Sequence, residues 1–427
     1  MTTGVLALFV ATSSQASLFD KLNDRSAPPS SPTESYAKCA TEGSICSVAA
    51  AGQMIYGAGS TFTAPKSVSS NTECSNAVFT DPVPATPKDC WYRVLPSGVD
   101  PMPPLMAYTG PTIDLAMAAI VAVSAGTSEL RVRPTSEIAP ASADGAFRTS
   151  CEPVKMTKDD PIVFPGGTGK SHLHTFFGNT GVNASSTDAS LRTTGNSSCR
   201  GGIANRSAYW VPTMIDTDTG APIAPANIGV YYKNGNLPGN QVMQAIPEGL
   251  RMIAGNPMAT APRGPSSEFS YRWKCIGGPN NQNALYGSDI PRCDPGAEVW
   301  QEIMFPQCWD GKNLDSPDHK SHMSFGEVIY YDNGGANTAQ RWQCPSTHPV
   351  SIPSITFNVV YKTPAKGTRS WRLASDSYDA TKPGGWSSHA DWFNGWKQDI
   401  SDAWFKSCIK GMKDCHSHLL GDGREIY

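Results

Sequence analysis

Residues 159–179, DDPIVFPGGTGKSHLHTFFGN, show the pattern that decides the fold of this chain. Two runs rich in β-branched and aromatic residues, at 162–164 and 172–177, flank a turn rich in Gly. Runs bounded by turn residues in this way predict strands. Similar runs recur at 228–232, 269–273, 299–305, 327–331 and 355–361. The sequence therefore predicts a mainly β fold: a β-sandwich of jelly-roll type with long disulfide-stapled loops.

Composition supports this class and excludes several others. The 427 residues include 39 Gly and 35 Pro, more than a helical bundle tolerates. Only 17% are charged and the net charge is −3, so no strong positive field attracts nucleic acid. The apolar run at 115–123 is too short to cross a bilayer. We expect neither a nucleic-acid partner nor a membrane span.

One helix is predicted near the C-terminus. Apolar side chains recur there at mostly four-residue spacing, which is typical of an amphipathic helix over residues 391–410: Trp392, Trp396, Ile400, Trp404 and Ile409. We expect this helix to lie against the sheets.

The twelve cysteines indicate an oxidising compartment. No C-x-x-C motif occurs, so disulfides are the simplest interpretation. Four cysteines precede residue 100 and eight follow residue 150, so each part can be stapled independently, with the pairing left open. The apolar run 4–11, followed by Ser14-Gln15-Ala16, predicts a signal peptide over residues 1–16, although no basic residue precedes it. We expect a secreted protein, extracellular or periplasmic, and a monomer.

Composition shifts divide the rest of the chain. Residues 17–35 predict a flexible leader, and 36–95 a small disulfide-stapled β module with strands near 54–56, 61–63 and 77–79. Residues 96–146 predict a Pro- and Ala-rich linker containing one helix, and 147–427 form the main β domain.

Six of the eight histidines form close pairs along the chain, at 172/174, 319/322 and 416/418, and His389 lies beside Asp391. On a strand, His172 and His174 would point to one face, which suits two ligands of one metal ion or a pair that contacts a sugar or an anion. Ordinary packing is the alternative. A divalent metal ion is the cofactor that this pattern suggests, with four candidate ligands: His172, His174, His319 and His322.

The segment 307–323, QCWDGKNLDSPDHKSHM, concentrates three carboxylates and two histidines. An apolar environment there would raise the pKa of one carboxyl for proton donation while another stays ionised, as hydrolysis of a glycosidic bond requires. The same side chains would also suit Ca²⁺ or a transition metal, or would simply cap the turns of a solvated loop.

The segment 384–396, GGWSSHADWFNGW, places Trp386 and Trp392 around His389 and Asp391. Aromatic faces beside polar groups suit sugar rings, and core tryptophan is the alternative.

Six motifs resemble one family in their order along the chain: GAFRTSC, DDPIVFPGGTGKSHLHTFFGN, GLRMIAGN, CWDGKNLDSPDHKSHM, CPSTHPVSIP and HADWFNGW. Residues 147–415 thereby resemble the secreted family DUF1996, a domain of unknown function found in fungi and bacteria. The resemblance implies secretion but no settled reaction. CATEGSIC, YGAG and CSNAVFTDP in the first module more loosely resemble a small Cys-containing unit of secreted bacterial carbohydrate-related proteins.

Together these features predict a secreted polysaccharide-active protein, with a glycoside hydrolase as the leading hypothesis and a polysaccharide or cell-wall glycan as the partner. The candidate catalytic residues are Asp310, Asp318, Asp391, His319 and His389. The candidate substrate-binding residues are His172, His174, Trp309, Lys312, Asn313, Asp315, Trp386 and Trp392. A non-catalytic glycan-binding protein of the cell surface or matrix is the alternative, and a metal-binding or oxidative protein is a third.

Overall fold

The computed structural model describes residues 36–427 except 49–51, 59–60, 64–65, 69, 80, 95–109, 122, 143, 235–242, 264–269, 279–281, 284–285 and 333–337. The signal peptide and leader predicted over residues 1–35 lie outside the described residues. The chain divides into two compact units, Met1–Pro103 and Pro104–Tyr427. The described part contains no helix with the length and apolarity needed to cross a membrane.

The first unit is a small antiparallel β structure. Its strands are β1 (Ala37–Thr41), β2 (Ile45–Cys46), β3 (Gly52–Ala58), β4 (Thr61–Phe62), β5 (Lys66–Val68), β6 (Thr72–Glu73) and β7 (Asp89–Val94). The disulfides Cys39–Cys46 and Cys74–Cys90 staple it. The strand predicted at 77–79 is wrong: the backbone N–H groups of Val78 and Phe79 donate to the carbonyl of Ser75 and form a turn.

The second unit contains two larger antiparallel sheets. Sheet I has the order β10-β11-β12-β27-β16, and its strands are Pro153–Thr157, His174–Gly178, Ala208–Pro212, His389–Phe393 and Arg251–Gly255. Sheet II has the order β18-β17-β19-β25-β15-β9, and its strands are Gln282–Asn283, Tyr271–Gly277, Glu298–Met304, Ser354–Lys362, Asn227–Lys233 and Ala146–Cys151.

Shorter strands surround these sheets. They are β8 (Val132–Pro134), β13 (Met214–Asp216), β14 (Ala221–Ile223), β20 (Cys308–Trp309), β21 (Met323–Ser324), β22 (Glu327–Asp332), β23 (Thr338–Gln343), β24 (Val350–Ser351), β26 (Trp371–Leu373) and β28 (Arg424–Ile426). The helices are α1 (Leu115–Ile120), α2 (Asp188–Thr193) and α3 (Gln398–Trp404). The prediction of a mainly β fold is confirmed.

Sheets I and II bury one face each in a common core. Alternation along β27 directs Ala390 and Trp392 into this core, and both side chains are fully buried. Across the core, the ring of Tyr209 on β12 lies 5.5 Å from the ring of Phe357 on β25. The opposite face of sheet I is covered by the connection between β10 and β11 and by neighbouring loops, which pack there as a smaller apolar cluster.

The C-terminal helix is shorter than predicted. Residues 391–393 belong to β27, and helix α3 begins only at Gln398 and continues as a π-helical turn over Phe405–Ile409. Pairing with β12 and β16 fixes residues 391–393 in a strand, so the tertiary environment overrides the helical spacing of the tryptophans. Trp396 and Trp404 do pack in the main core.

The disulfides confirm the predicted even division of the cysteines. The second unit contains Cys151–Cys199, Cys275–Cys293, Cys308–Cys344 and Cys408–Cys415, and no disulfide among the described residues joins the two units.

Two of these bonds close loops of very different length. Cys151 and Cys199 are 48 residues apart, whereas Cys408 and Cys415 are 7 apart, and all four are buried. Because the longer loop restricts the unfolded chain more, Cys151→Ala/Cys199→Ala should lower the free energy of unfolding by about 4 kcal/mol and Cys408→Ala/Cys415→Ala by about 2 kcal/mol. Urea unfolding without reductant measures both, and a larger loss from the short loop would contradict the expectation.

Candidate functional site

A compact group of histidines and carboxyls lies on the face of sheet I that is turned away from the main core. His174 begins β11, and His389 and Asp391 occupy alternate positions on β27. His172 lies two residues before β11, and Asp160 lies in the connection between β10 and β11. We call these five residues the His/Asp cluster. All are buried except His172, which is partly exposed.

The distances within the cluster are short. The Nε2 atoms of His172 and His389 are 3.1 Å apart, and the ring centroids of His172 and His174 are 4.2 Å apart. One nitrogen from each of His172, His174 and His389 lies within 4.8 Å of the other two, and the same limit holds for one atom each of Asp160, His174 and Asp391. His174 therefore connects three imidazoles to two carboxyls.

Backbone carbonyls orient two of the imidazoles. The Nδ1 of His174 lies 3.0 Å from the carbonyl oxygen of Asp159, and the Nδ1 of His389 lies 2.8 Å from that of Ser387. Because a carbonyl only accepts, both Nδ1 atoms carry the proton, and in the neutral rings both Nε2 atoms present lone pairs. The buried Nε2 of His174 has no hydrogen-bond partner among the described residues.

Burial keeps the three imidazoles neutral. It lowers the pKa of His389 to about 3 and holds the pKa of His172 well below its ordinary value, with further lowering by the neighbouring histidines. The pKa of His174 is also lowered by burial, and the nearby Asp160 offsets part of this effect.

The two carboxyls experience the opposite effect. Burial raises the pKa of Asp391 well above its ordinary value, and the charge of Asp160 raises it further. Burial also raises the pKa of Asp160, although His174 and two backbone N–H groups oppose the rise. The Oδ2 of Asp391 is buried and has no hydrogen-bond partner among the described residues. Asp391 is therefore the carboxyl that holds a proton most readily.

Asp160 is positioned by a turn where the sequence predicts a strand. Its Oδ1 accepts hydrogen bonds from the backbone N–H groups of Ile162 and Val163, both at 2.9 Å. This cap makes residues 161–164 a turn, so the predicted strand at 162–164 is wrong. The Asp-Pro dipeptide at 160–161 is a turn signal that points to this outcome.

The Asp-rich segment 308–322 forms a tightly bonded loop after β20. Oδ1 of Asp310 accepts from the backbone N–H groups of Lys312 and Asn313 at 2.8 and 2.9 Å. Burial alone would raise the pKa of Asp310, but these bonds and the Asn313 amide lower it. Asp318 behaves similarly, because hydrogen bonds from Ser316, Ser321 and Lys320 outweigh its burial and lower its pKa. Lys312 and Asn313 are exposed.

Two residues of this loop reach the His/Asp cluster. Lys320 donates from Nζ to the carbonyl of Gly255 at 2.8 Å, and its charge acts on both His389 and Asp391. The Nδ1 of His319 lies 2.9 Å from Oδ1 of Asp315, and this bond raises the pKa of His319, with a smaller contribution from Asp160. The loop therefore lies over the cluster.

The other predicted residues of this loop hold it in place. Nε2 of His322 lies 2.7 Å from the carbonyl of Arg251, and its Nδ1 lies 2.9 Å from Oγ of Ser316. Among the described residues, neither His319 nor His322 belongs to a group of three or more potential metal ligands. The indole N–H of Trp309 donates to the carbonyl of Asn313.

The two predicted sugar-binding tryptophans are buried. Trp392 lies in the main core with no ring face exposed. Trp386 is 7% exposed and stacks on Tyr378 with the ring centroids 4.5 Å apart.

Three distant segments thus meet at one place: 172–174, 319–320 and 389–391. The prediction placed His172, His174, His389 and Asp391 in one candidate enzyme site, but it did not list His389 as a metal ligand and missed Asp160 and Lys320. In the sequence, Asp160 shows only as the first residue of an Asp-Pro turn signal, so nothing there marks it as part of the cluster.

The fold and the site define a disulfide-stabilised, mainly β protein with a buried His/Asp cluster. The family model described as a domain of unknown function (DUF1996) matches residues 160–396, so the chain belongs to the DUF1996 family. All five members of the cluster lie within the matched residues. A search of curated proteins and a search of solved structures found no match.

Gly255 allows β16 to pass close to His389. Its φ is +84°, and a Cβ atom there would lie 2.3 Å from the carbonyl oxygen of Ser388 and 2.7 Å from Cα of His389. Gly277 has a similar φ of +72° but no described atom within 4 Å of its would-be Cβ, so it is a matched control.

We expect Gly277→Ala to lower the free energy of unfolding by about 1–2 kcal/mol through its backbone conformation alone. Gly255→Ala should cost at least about 2 kcal/mol more, because its Cβ meets backbone atoms that cannot move away cheaply. Urea unfolding of the two variants measures this difference. Equal losses in the free energy of unfolding would show that the backbone at His389 can move to make room for the added Cβ atom.

Proposed function

We propose that this protein is a secreted hydrolase that acts on an extracellular polysaccharide, with its reaction at the His/Asp cluster. The observation that carries the proposal is Asp391, a fully buried carboxyl with a raised pKa beside a second carboxyl and three neutral imidazoles. Its Oδ2 has no hydrogen-bond partner within the described ranges. Ionisable groups perturbed in this way are concentrated at functional sites.

The pair Asp391 and Asp160 supplies the acid and the nucleophile that hydrolysis of a glycosidic bond needs. One carboxyl, kept protonated, donates its proton to the departing glycosidic oxygen as the C–O bond breaks. The other, kept ionised and with an oxygen within 4.8 Å of the first, forms a bond to the sugar carbon, and water then hydrolyses this glycosyl ester while the first carboxyl takes up the proton of the water. Asp391 suits the first role, and Asp160, which accepts two backbone hydrogen bonds, suits the second.

The disulfides support an extracellular location. Six bonds use all twelve cysteines, and such bonds persist in oxidising compartments. The carboxylates of Asp310 and Asp318 are less suited to proton donation, because hydrogen bonds within the loop lower the pKa of both.

The test is the release of reducing ends from a panel of insoluble and soluble polysaccharides by the full chain with its disulfides intact. We expect Asp391→Asn to lower kcat by about 100-fold or more, the usual contribution of a general acid. Asp399→Asn, which removes an exposed carboxylate in the first turn of α3, should leave the rate unchanged.

Two results would contradict the proposal. Loss of activity in Asp310→Asn or Asp318→Asn with full activity in Asp391→Asn would move the reaction to the loop. If folded protein, as judged by its unfolding midpoint, releases no product from any polysaccharide, the proposed hydrolase function is wrong.

A further inference from the structure

We propose that His172, His174 and His389 bind one divalent transition-metal ion through their Nε2 atoms, beside Asp391 and Asp160. This inference concerns the site of the proposed function, but it rests on the geometry of the imidazoles and does not require the hydrolase reaction. It differs from the ligand set expected from the sequence, since it includes His389 and excludes His319 and His322.

The first argument is the direction of the lone pairs. The Nδ1–H groups of His174 and His389 donate hydrogen bonds to the carbonyl oxygens of Asp159 and Ser387. Metal-bound histidines almost always donate their second ring N–H to a carbonyl or carboxylate in this way, which fixes the tautomer and the ring orientation. Both rings are therefore held as Nε2 ligands before any ion arrives.

The second argument is distance. The Nε2 atoms of His172 and His389 are 3.1 Å apart, and the three imidazoles place their nitrogens within 4.8 Å of one another. Metal–nitrogen bonds of about 2.0–2.1 Å place adjacent ligand atoms roughly 3–3.5 Å apart. His172 and His389 are already at this spacing, in a hydrogen bond that the ion would replace, and His174 lies within the 4.8 Å limit.

The third argument is an unsatisfied acceptor. The Nδ1–H of His174 donates a hydrogen bond to the carbonyl of Asp159, so its Nε2 carries a lone pair. This Nε2 atom is buried and has no hydrogen-bond partner among the described residues, and His174 is only 1% exposed. A buried polar atom left unpaired costs about 1–3 kcal/mol, and a bound cation removes this cost. The same ion would also compensate the charge of the buried Asp160 carboxylate.

The ligand set indicates the class of ion. Three imidazole nitrogens favour Zn²⁺ and other borderline transition metals over Ca²⁺ and Mg²⁺, which prefer oxygen. Three protein ligands with a further position open to water are typical of a catalytic rather than a structural zinc site. When bound, such an ion would supply Lewis-acid chemistry beside Asp391 and Asp160.

A second group of side chains provides an internal comparison. One ligating atom each of Glu137, His418 and Glu425 also lies within 4.8 Å of the others, but none of these residues is buried. Arg133 already bonds to Glu425 at 2.6 Å, which weakens the attraction of this group for a cation. We assign no site there, and His418→Ala serves as the control variant.

The experiment uses the full chain with its disulfides intact, freed of metal with a chelator and then titrated with Zn²⁺ by calorimetry and with Co²⁺ by visible absorption. We expect one equivalent to bind with a Co²⁺ spectrum typical of nitrogen ligands. His172→Ala and His389→Ala should each weaken binding by at least about 100-fold, beyond the 10–100-fold caused by loss of an outer partner. His418→Ala should bind as the parent does.

His172 is partly exposed, so His172→Ala tests the site even if the buried variant unfolds. Binding lost in His418→Ala but kept in His172→Ala, or no stoichiometric binding of either metal by folded parent protein, would overturn the proposal. Metal binding without cleavage of any polysaccharide would remove the proposed function and leave the metal site. Cleavage of a polysaccharide by protein that binds no metal would overturn the metal site and leave the proposed function.

Discussion

The antiparallel pairing of β27 with β12 and β16 is the interaction on which the site depends. Within β27, Ala390 and Trp392 enter the main core, whereas His389, Asp391 and Phe393 face the opposite side. A shift of one residue would expose the indole of Trp392 and bury the imidazole and carboxylate in the apolar core. Burial of a large aromatic side chain contributes roughly 2–3 kcal/mol, so the same register that stabilises the core also fixes the position of the chemical groups.

The His/Asp cluster is costly in the absence of a ligand. Two carboxyls and two imidazoles are buried together beside the partly exposed His172, and His174 and Asp391 each keep one buried polar atom without a hydrogen-bond partner in the described part of the chain. The fold tolerates this cost because the cluster lies on the outer face of sheet I, separate from the core shared by the two sheets. Buried polar groups make the fold less stable than apolar groups would. Binding or catalysis nevertheless requires such groups, held in position by rigid strands.

The strands and the disulfides of the fold could be predicted from the sequence. The spatial proximity of residues that are far apart along the chain could not. Strands such as β15, β19 and β25 follow from runs of β-branched and aromatic residues, and the disulfides follow from the cysteine division. The helix predicted from Trp392 onward failed because strand pairing decides the conformation of residues 391–393, and this pairing joins residues about 140 and 180 positions apart in the sequence. Asp160 was missed because a turn-capping aspartate and an aspartate of a buried ionisable cluster look identical in a sequence.

The loop over the cluster is attached to strand β16 of sheet I at several points. Arg251 on β16 pairs with Asp315 at 3.2 Å and stacks its guanidinium 4.6 Å above Phe393 of β27, while its carbonyl lies 2.7 Å from His322. The disulfide Cys308–Cys344 fixes the beginning of the loop, and Lys320 bonds to Gly255. Within this frame His319 adopts a φ of +57°, a conformation that a non-glycine residue keeps only when its surroundings impose it. The carboxylates of the loop therefore act first on the loop itself: Asp315 bonds to His319, and Asp318 accepts from the backbone N–H of Lys320, whose Nζ bonds to Gly255 beside His389.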